Sequence, residues 1–359
     1  MRVIYSPRYQ IDIGPHVFPT VKYQRVCARL LETGAVLPAD IVEPQAASWD
    51  ELALVHTSDY LTKMREGTLS SEEIAEIELP WSVEMVEGFR LMVGGTIDAA
   101  CFACGVDRGP EGLRHKRANV AQGPVNVAEG PVNVAEGPVN VAEGPVNVAE
   151  GPVNVAQGFS PAIICHVGGG LHHAFPSHGE GFCPFNDVAV AVRVLQARGI
   201  ERVAVVDCDL HHGNGTAFIF ESDSRVFTFS MHQQHNYPMW KPRGSLDIGL
   251  PDGAGDGRFL RELERALPTV MASEPQSVFY LAGADPYEDD QLGGFRMTRE
   301  GLRHRDRLVI ETVHAAGVPL VIVLAGGYAR HLEDTVAIHV ATIEEAKAAT
   351  ETQSSQRKS

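Results

Sequence analysis

Four short segments of the sequence carry side chains that could act as acids, bases or metal ligands. Each follows a run of apolar, β-branched residues, and together they supply His172 and His173, then Asp207, Asp209 and His211, then Asp285, and finally Tyr328. Residues two apart on an extended strand point the same way, so Asp209 and His211 can face one centre. With Asp285 they offer one imidazole and two carboxylates. Three such ligands, with a position left for water, suit a catalytic zinc ion, and the mixed set would also accept ferrous iron.

The adjacent histidines, in "GGGLHHAFPSHGEGFCPFND" from residue 168, need other residues to give them a function. Imidazole titrates near neutral pH, but histidine also serves as an ordinary hydrogen-bonding residue. A polar turn is the alternative explanation for "DCDLHHG" taken alone. Four such segments at four predicted strand ends argue against a purely structural role for the whole set.

Apolar runs predict the elements that position these residues. Four runs are apolar on both faces, as buried parallel strands are: "RVAVVD" (202–207), "RVFTFS" (225–230), "SVFYLAG" (277–283) and "PLVIVLAGG" (319–327). Helical periodicity appears at 186–199, 258–273 and 298–316, and earlier in "VKYQRVCARLLETG" and at about 81–105. The predicted fold class is α/β, with a central parallel sheet flanked by helices on both faces. In such sheets the ligand site lies beyond the carboxyl ends of the strands.

Composition limits the class of function. The chain has 359 residues, of which 44% are hydrophobic and 21% charged, which suits a globular protein with a buried core. Lys and Arg number 30 against 46 Asp and Glu, so we expect no direct binding of nucleic acid. The first residues do not resemble a signal peptide, and no run approaches the roughly 18 apolar residues of a membrane span. We therefore expect a cytoplasmic protein without membrane contact, whose six cysteines are reduced.

A tandem repeat interrupts this pattern between residues 118 and 158. "PVNVAEG" recurs with a proline at every seventh position, which excludes a coiled coil because proline obstructs helix continuation. We expect a flexible surface excursion, with stacked short strands as the alternative. The predicted organisation is one catalytic domain over 1–345, interrupted by a low-complexity insertion at about 107–158, and a polar, disordered tail over 346–359.

Several motifs in order resemble the histone deacetylase family. They are "GGGLHHAFPSHGEGFCPFND", "VDCDLHHGNGT", "AGADPYEDDQLGG" and "LAGGYAR", and the likeness extends from "YSPRY" through "VHTSDYL" to the last helix, apart from the repeat. The family includes bacterial members that act on acetylated proteins, in acetoin pathways or on polyamines. "MHQQHNYP" and "SPRY" resemble the class IV branch and its bacterial kin. The resemblance implies a single domain of the arginase and deacetylase type.

The resemblance implies a metal centre and a potassium site. Zn²⁺ is expected on Asp209, His211 and Asp285, where two carboxylates and one imidazole keep it Lewis acidic. K⁺ is expected beside Asp207, Asp209, His211 and Ser230, through backbone and side-chain oxygens.

The resemblance also implies catalytic roles. Asp207 is expected to orient His172, and Asn214 is expected to be the partner of His173. A neutral amide raises the pKa of an imidazole less than a carboxylate does, so His173 is predicted to be the general base. Tyr328 is expected to donate its hydroxyl to the developing oxyanion.

Four further residues are expected to bind the substrate. Phe182 and Tyr237 resemble the facing aromatic walls of a tube that admits an acyl-lysine stem, with Leu292 near its rim. Gly181 is expected to accept a hydrogen bond from the substrate amide. His212 is predicted to be structural.

The predicted function is zinc-dependent hydrolysis of an acyl-amide, with an acylated lysine of a protein, or another acylated amine, as the partner. Deacetylation of Nε-acyl-lysine is favoured over longer-chain deacylation. Hydrolysis of an acetylpolyamine or another small amide is the alternative, and a binding module for acyl-lysine without turnover is a further one. Arginase-type ureohydrolases share the architecture but would need more carboxylates for two manganese ions. The sequence leaves the oligomeric state open.

Overall fold

The structure, a computed structural model, describes residues 1–109 and 162–356. The heptapeptide repeat at 118–158 lies outside the described residues. Of the insertion predicted at about 107–158, the structure describes only residues 107–109, so the rest of it stays a prediction.

The described residues form one sheet of eight parallel strands. In chain order these are β1 (Arg2–Ile4), β2 (Ile41–Val42), β3 (Ile163–His166), β4 (Val203–Asp207), β5 (Val226–Gln233), β6 (Leu246–Leu250), β7 (Ser277–Leu281) and β8 (Leu320–Val323). Their order across the sheet is β2-β1-β3-β8-β7-β4-β5-β6. The four central strands β3, β8, β7 and β4 are buried at every position, which explains why their sequences are apolar on both faces.

The strand register places the ends of the central strands side by side. His166 at the end of β3 pairs with Val323 of β8, and Val323 pairs with Leu281 of β7. Leu281 pairs in turn with Asp207 of β4, and Asp207 pairs with Ser230 of β5. Since the strands are parallel, the segments that follow β3, β4, β7 and β8 all leave the sheet at one edge.

Helices flank the sheet. The described residues contain α1 (Val21–Glu32), α2 (Trp49–Leu52), α3 (Ser58–Glu66), α4 (Ser71–Ile77), α5 (Val83–Cys104), α6 (Asp187–Ala197), α7 (Asn214–Phe220), α8 (Asp256–Met271), α9 (Arg299–Ala315) and α10 (Leu332–Gln356). One group contains α5 and α6, and a second contains α1, α8, α9 and α10. Helix α5 is buried along most of its length, whereas α8 buries one stripe that includes Phe259, Leu263 and Leu267.

The predicted fold class is confirmed, with differences at the edges of the sheet and at the carboxyl end. Strands β1, β2 and β6 were not predicted, because they have two to five residues and alternate or lie half-buried at the sheet edge. Helix α10 continues to Gln356, so the start of the predicted disordered tail at 346 is wrong. Its segment "EEAKAATET" is rich in good helix formers, and Ala346 is fully buried.

The cysteines and the helices bear on the predicted class of protein. All six cysteines are free and buried, including Cys101 and Cys104 of α5. Within the described part of the chain, no helix is both long enough and apolar enough to cross a membrane.

Candidate active site

The three predicted metal ligands lie together at the carboxyl edge of the sheet. Asp209 and His211 follow β4, and Asp285 follows β7. One ligand atom from each residue lies within 4.8 Å of the others, and all three side chains are buried. The Nδ1 atom of His211 is 3.2 Å from Asp209 Oδ1 and 3.2 Å from Asp285 Oδ2. One imidazole nitrogen and two carboxylate oxygens therefore converge on one point, as zinc ligation requires.

Backbone groups hold the outer oxygens of the two carboxylates. The amide of Gly326 donates to Asp209 Oδ2 over 2.8 Å, and the amide of Leu210 donates to Asp285 Oδ1 over 3.0 Å. A Cβ atom on Gly326 would lie 2.2 Å from Asp285 Oδ2, and one on Gly283 would lie 2.6 Å from Asp209 Oδ2. Two glycines thus leave space that only backbone atoms without side chains allow, so the residues present fit a small cation with oxygen and nitrogen ligands.

The electrostatics of these ligands also favour a cation. Burial lowers the pKa of His211, but its hydrogen bonds to Asp209 and Asp285 and the charges of these carboxylates outweigh burial and raise it to about 10. Burial and the neighbouring Asp209 raise the pKa of Asp285. Two buried carboxylates this close need a positive charge between them.

The two adjacent histidines lie beside these ligands and have different partners. His172 Nδ1 is 2.7 Å from Asp207 Oδ2, and His173 Nδ1 is 2.7 Å from Asn214 Oδ1. Their Nε2 atoms lie 3.1 Å apart. A backbone amide fixes the Asp207 carboxylate as well, since Asp209 N donates to its Oδ1 over 3.0 Å.

These partners push the proton affinities of the two imidazoles apart. Burial lowers the pKa of His172, but the carboxylates of Asp207 and Asp209 outweigh burial and raise it to about 9. Burial and the charges of His172 and His211 hold the pKa of His173 well below its usual range. At neutral pH His172 is therefore the protonated imidazole of the pair and His173 the neutral one.

A buried carboxylate positions the loop that carries the histidine pair. Asp187, the first residue of α6, accepts the backbone amide of Gly170 over 3.0 Å and that of Leu171 over 2.7 Å. Gly169 and Gly170 have φ values of +70° and +83°, which L-residues with side chains rarely adopt. The glycine run before the histidines is thus required by the turn that brings both rings to the site.

Tyr328 lies beside the metal ligands after β8. It lines both a small inner cavity of about 30 Å³, with Asp209 and His211, and an outer cavity. Its ring packs edge-on against Phe18 and Phe182, and its backbone amide donates to Asp290 Oδ2 over 2.7 Å. The ring of Tyr328 is therefore held at the wall that the two cavities share, beside Asp209 and His211.

The outer cavity has a volume of about 200 Å³ and contains all four residues predicted to bind substrate. It is lined by Glu78, His173, Gly181, Phe182, His211, Asn236, Tyr237, Leu292 and Tyr328. Gly181, with φ +52°, leaves room that a Cβ would take from His173 and Tyr237, both 2.9 Å away. Aromatic rings and imidazoles therefore line the same cavity, and the ring of Tyr237 packs edge-on against that of His173, with centroids 5.0 Å apart.

Ser230, which was predicted to bind potassium, and His212, which was predicted to be structural, are both buried. Ser230 pairs in register with Asp207, and its hydroxyl is 3.0 Å from His232 Nδ1. His212 is buried, with Nε2 3.3 Å from Asp247 Oδ1 and its ring edge-on to His232.

Three residues near the site were not found from the sequence. Lys22 of α1 is fully buried, donates to Ala325 O over 2.8 Å, and has its ammonium over the ring of Tyr328. Asp290 holds the Tyr328 amide, and Glu180 contacts Asn214 and Tyr237. Asp290 and Glu180 lie inside two of the quoted motifs, which is the only signal in the sequence that pointed to them.

The chain is similar to known proteins along most of its length. The sequence pattern of the histone deacetylase domain matches residues 16–343. An uncharacterized protein of Picosynechococcus is 37% identical over 340 residues, which cover 94% of this chain and 95% of that protein. The acetoin utilization protein AcuC of Bacillus subtilis is 29% identical over 350 residues, covering 90% of this chain and 76% of AcuC.

A solved structure shows the same fold. The crystal structure of an HDAC homologue from Aquifex aeolicus superposes with a TM-score of 0.69 at 21% identity, over 97% of this chain and 84% of that one.

Proposed function

The chain belongs to the histone deacetylase family and is a hydrolytic enzyme of the deacetylase and amidohydrolase type, and from that premise we propose that it deacetylates the Nε-acyl-lysine side chain of a protein. The observation that carries the choice of substrate is the outer cavity, which Phe182 and Tyr237 line together with His173 and Tyr328. In this proposal the apolar side chains of the cavity flank the methylene stem of lysine, and the amide meets the polar groups of His173 and Tyr328.

We propose that Asp209, His211 and Asp285 hold the metal ion, which is zinc by family and accepts ferrous iron by ligand type. When bound, it supplies Lewis acidity toward the amide carbonyl and the attacking water. A potassium ion beside Asp207, Asp209, His211 and Ser230 remains a proposal from family resemblance alone.

The protein's own residues perform the proton transfers in this proposal. His173 accepts the proton of the attacking water at Nε2, because its Nδ1 is already bonded to Asn214. Its lowered pKa keeps the imidazole unprotonated at neutral pH until then. The protonated His173 then gives a proton to the leaving lysine amine. His172, kept cationic by Asp207, stabilises negative charge nearby, and the Tyr328 hydroxyl donates to the oxyanion.

An acetylated polyamine is the alternative substrate. The carboxylate of Glu78 lines the same cavity, and a second carboxylate, Glu180, bonds the hydroxyl of Tyr237. A substrate with a second cationic amine would find an opposite charge there.

Location in the cytoplasm remains a prediction from the sequence.

The test is to incubate zinc-loaded protein with acetyl-lysine peptides, longer acyl-lysine peptides and acetylpolyamines. We expect hydrolysis of acetyl-lysine peptides, with kcat about 100-fold lower in Tyr328→Phe and in His173→Ala. Faster hydrolysis of acetylpolyamines would select the alternative. Binding of acetyl-lysine peptides without hydrolysis of any substrate would instead identify a binding module.

A further inference from the structure

Glu180 lies one hydrogen bond behind the partner of the general base. Its Oε1 atom accepts the side-chain amide of Asn214 over 3.0 Å, and Asn214 Oδ1 lies 2.7 Å from His173 Nδ1. The same Oε1 accepts the hydroxyl of Tyr237 over 2.6 Å. Glu180, Asn214 and His173 therefore form a chain of contacts from the tube wall to the reacting imidazole.

The backbone around Glu180 holds its carboxylate in place. Glu180 and Cys183 exchange two backbone hydrogen bonds, of 3.2 and 3.0 Å. The amides of Gly181 and Phe182 donate to the carbonyls of Glu76 and Ile77 at the end of α4. The Glu180 side chain is only 16% exposed, and His178 Nε2 faces its other oxygen at 3.8 Å.

The ionised state of Glu180 determines the orientation of Asn214. Burial raises the pKa of Glu180, but its bonds to His178, Tyr237 and Asn214 outweigh burial and lower it. A carboxylate only accepts hydrogen bonds, so the NH₂ of Asn214 must face Glu180 and its oxygen must face His173. His173 must then carry its proton on Nδ1, which leaves the lone pair on Nε2. With the amide reversed, the imidazole would carry its proton on Nε2 and could not accept one there.

We propose that Glu180 is a positioning residue for amide hydrolysis, which holds Asn214 in the orientation that keeps Nε2 of His173 free to accept a proton. This inference rests on the proposed role of His173 as the general base. A carboxylate placed directly at position 214 would do the same with one link fewer. In this chain the negative charge stands one residue further from the imidazole, and the oxygen that carries it also anchors a wall of the substrate tube.

The main test compares Glu180→Leu with Glu76→Leu. Glu76 carries a carboxylate that also faces His178, at 3.9 Å, but makes no hydrogen bond to Asn214, so its removal should leave kcat within about twofold. Glu180→Leu fills a similar volume and offers no acceptor. Its kcat should fall about 10- to 100-fold, as for other residues that orient a reacting group through another. Tyr237→Phe, which breaks only the other bond of Glu180, should change KM more than kcat.

Rescue separates positioning from a general structural role. In Glu180→Leu combined with Asn214→Asp, the new carboxylate can only accept from His173 Nδ1, so most of the lost kcat should return. A purely structural defect at Glu180 would not be repaired by a change at 214. If Glu180→Leu does not fold, Glu180→Gln serves, because its amide can present either end to Asn214 and should give an intermediate loss.

A spectroscopic measurement decides the inference even without turnover. In protein labelled with ¹⁵N-histidine, the His173 signals, assigned by their loss in His173→Ala, should show protonated Nδ1 and unprotonated Nε2. Glu180→Leu or Glu180→Gln should add the other tautomer. Unchanged signals, or a kcat that is the same as in the Glu76 control, would overturn the role of Glu180. Wild-type protein that hydrolyses no amide but shows the tautomer shift would overturn only the proposed function.

Discussion

His172 has a carboxylate behind it and His173 has an amide, although the two rings lie side by side. The result is one imidazole with a raised pKa and one with a lowered pKa at the same point of the site. Neighbouring groups with separated pKa values are what an acid and a base in one site require. The difference arises because the carboxylates of Asp207 and Asp209 act on His172, whereas the charges of His172 and His211 act on His173.

Metal binding should stabilise the protein through Asp209 and Asp285. A cation between two buried carboxylates offsets their repulsion, and at a free zinc concentration a hundredfold above the dissociation constant the gain is about 3 kcal/mol. Calorimetric unfolding with zinc and with a chelator should show a higher Tm with zinc. The shift should be much smaller in Asp285→Asn and unchanged in Asp59→Asn, whose side chain is exposed on α3. An equal shift in both variants would contradict the assigned ligands.

The sequence predicted the site residues that follow the central strands, because parallel strands bring their carboxyl ends to one edge. It did not predict Lys22, which lies on an amphipathic helix where a lysine normally faces solvent. The partner of Lys22, Ala325, is 303 positions away along the chain. Glu180 was missed for a similar reason, since its importance depends on contacts with Asn214 and Tyr237 from other segments.

At the scale of the elements, the turn after β8 should not tolerate a side chain at Gly326. In Gly326→Ala the new methyl group would meet both carboxylates, so zinc affinity should fall at least tenfold and stability by about 1–3 kcal/mol. Gly317→Ala is the matched control, because a Cβ there meets nothing within 4 Å and only its φ of +69° is unfavourable. Zinc titration and urea unfolding of both variants measure the difference. Equal zinc affinities would show that the turn can shift.

A buried histidine joins three elements and should make the fold sensitive to acid. His56, between α2 and α3, has Nδ1 3.0 Å from Phe175 O, and its Nε2 accepts the Asn186 amide at the start of α6. Burial lowers the pKa of His56 from 6.5 to about 4. The unfolded chain therefore binds the proton first, and the free energy of unfolding should fall between pH 6.5 and 4 by about 3 kcal/mol.

Urea unfolding across this pH range tests the expectation. His56→Gln should flatten the decline, whereas the same change at exposed His235 should leave it unchanged. A decline of the same slope in both variants would assign the acid sensitivity to other groups.

Element boundaries show where sequence patterns lose information. The buried strands β4, β7 and β8 were predicted because nothing interrupts their apolar runs. The edge strand β6 alternates between exposed and buried positions and includes Asp247 and Gly249, which are poor strand formers. Pairing with β5 therefore holds this segment in a strand, although its residues do not favour one. Helix α10 was cut short in the prediction because a polar composition does not reveal that Ala346 packs against the core.

At the scale of the whole molecule, the charge of the chain should influence which acyl-lysine sites react. The net charge is −16, and Glu78 lines the outer cavity. Acetyl-lysine peptides flanked by Lys or Arg should have a kcat/KM about 3- to 10-fold higher than peptides flanked by Glu at low salt. The ratio should shrink as ionic strength rises, since at 0.15 M the interaction of exposed charges more than about 8 Å apart is largely screened. A preference for acidic peptides would contradict this expectation.

The common direction of the strands also separates the two edges of the sheet. The reactive side chains follow strand ends, whereas Ala162 comes directly before β3 and therefore lies at the opposite edge. Gly109 lies there too, because its carbonyl and that of Arg108 accept from Arg198, which precedes β4. The heptapeptide copies are spliced into the chain between Gly109 and Ala162. Both junctions of this segment with the domain, at Gly109 and Ala162, therefore stand on the side of the sheet away from the reactive side chains.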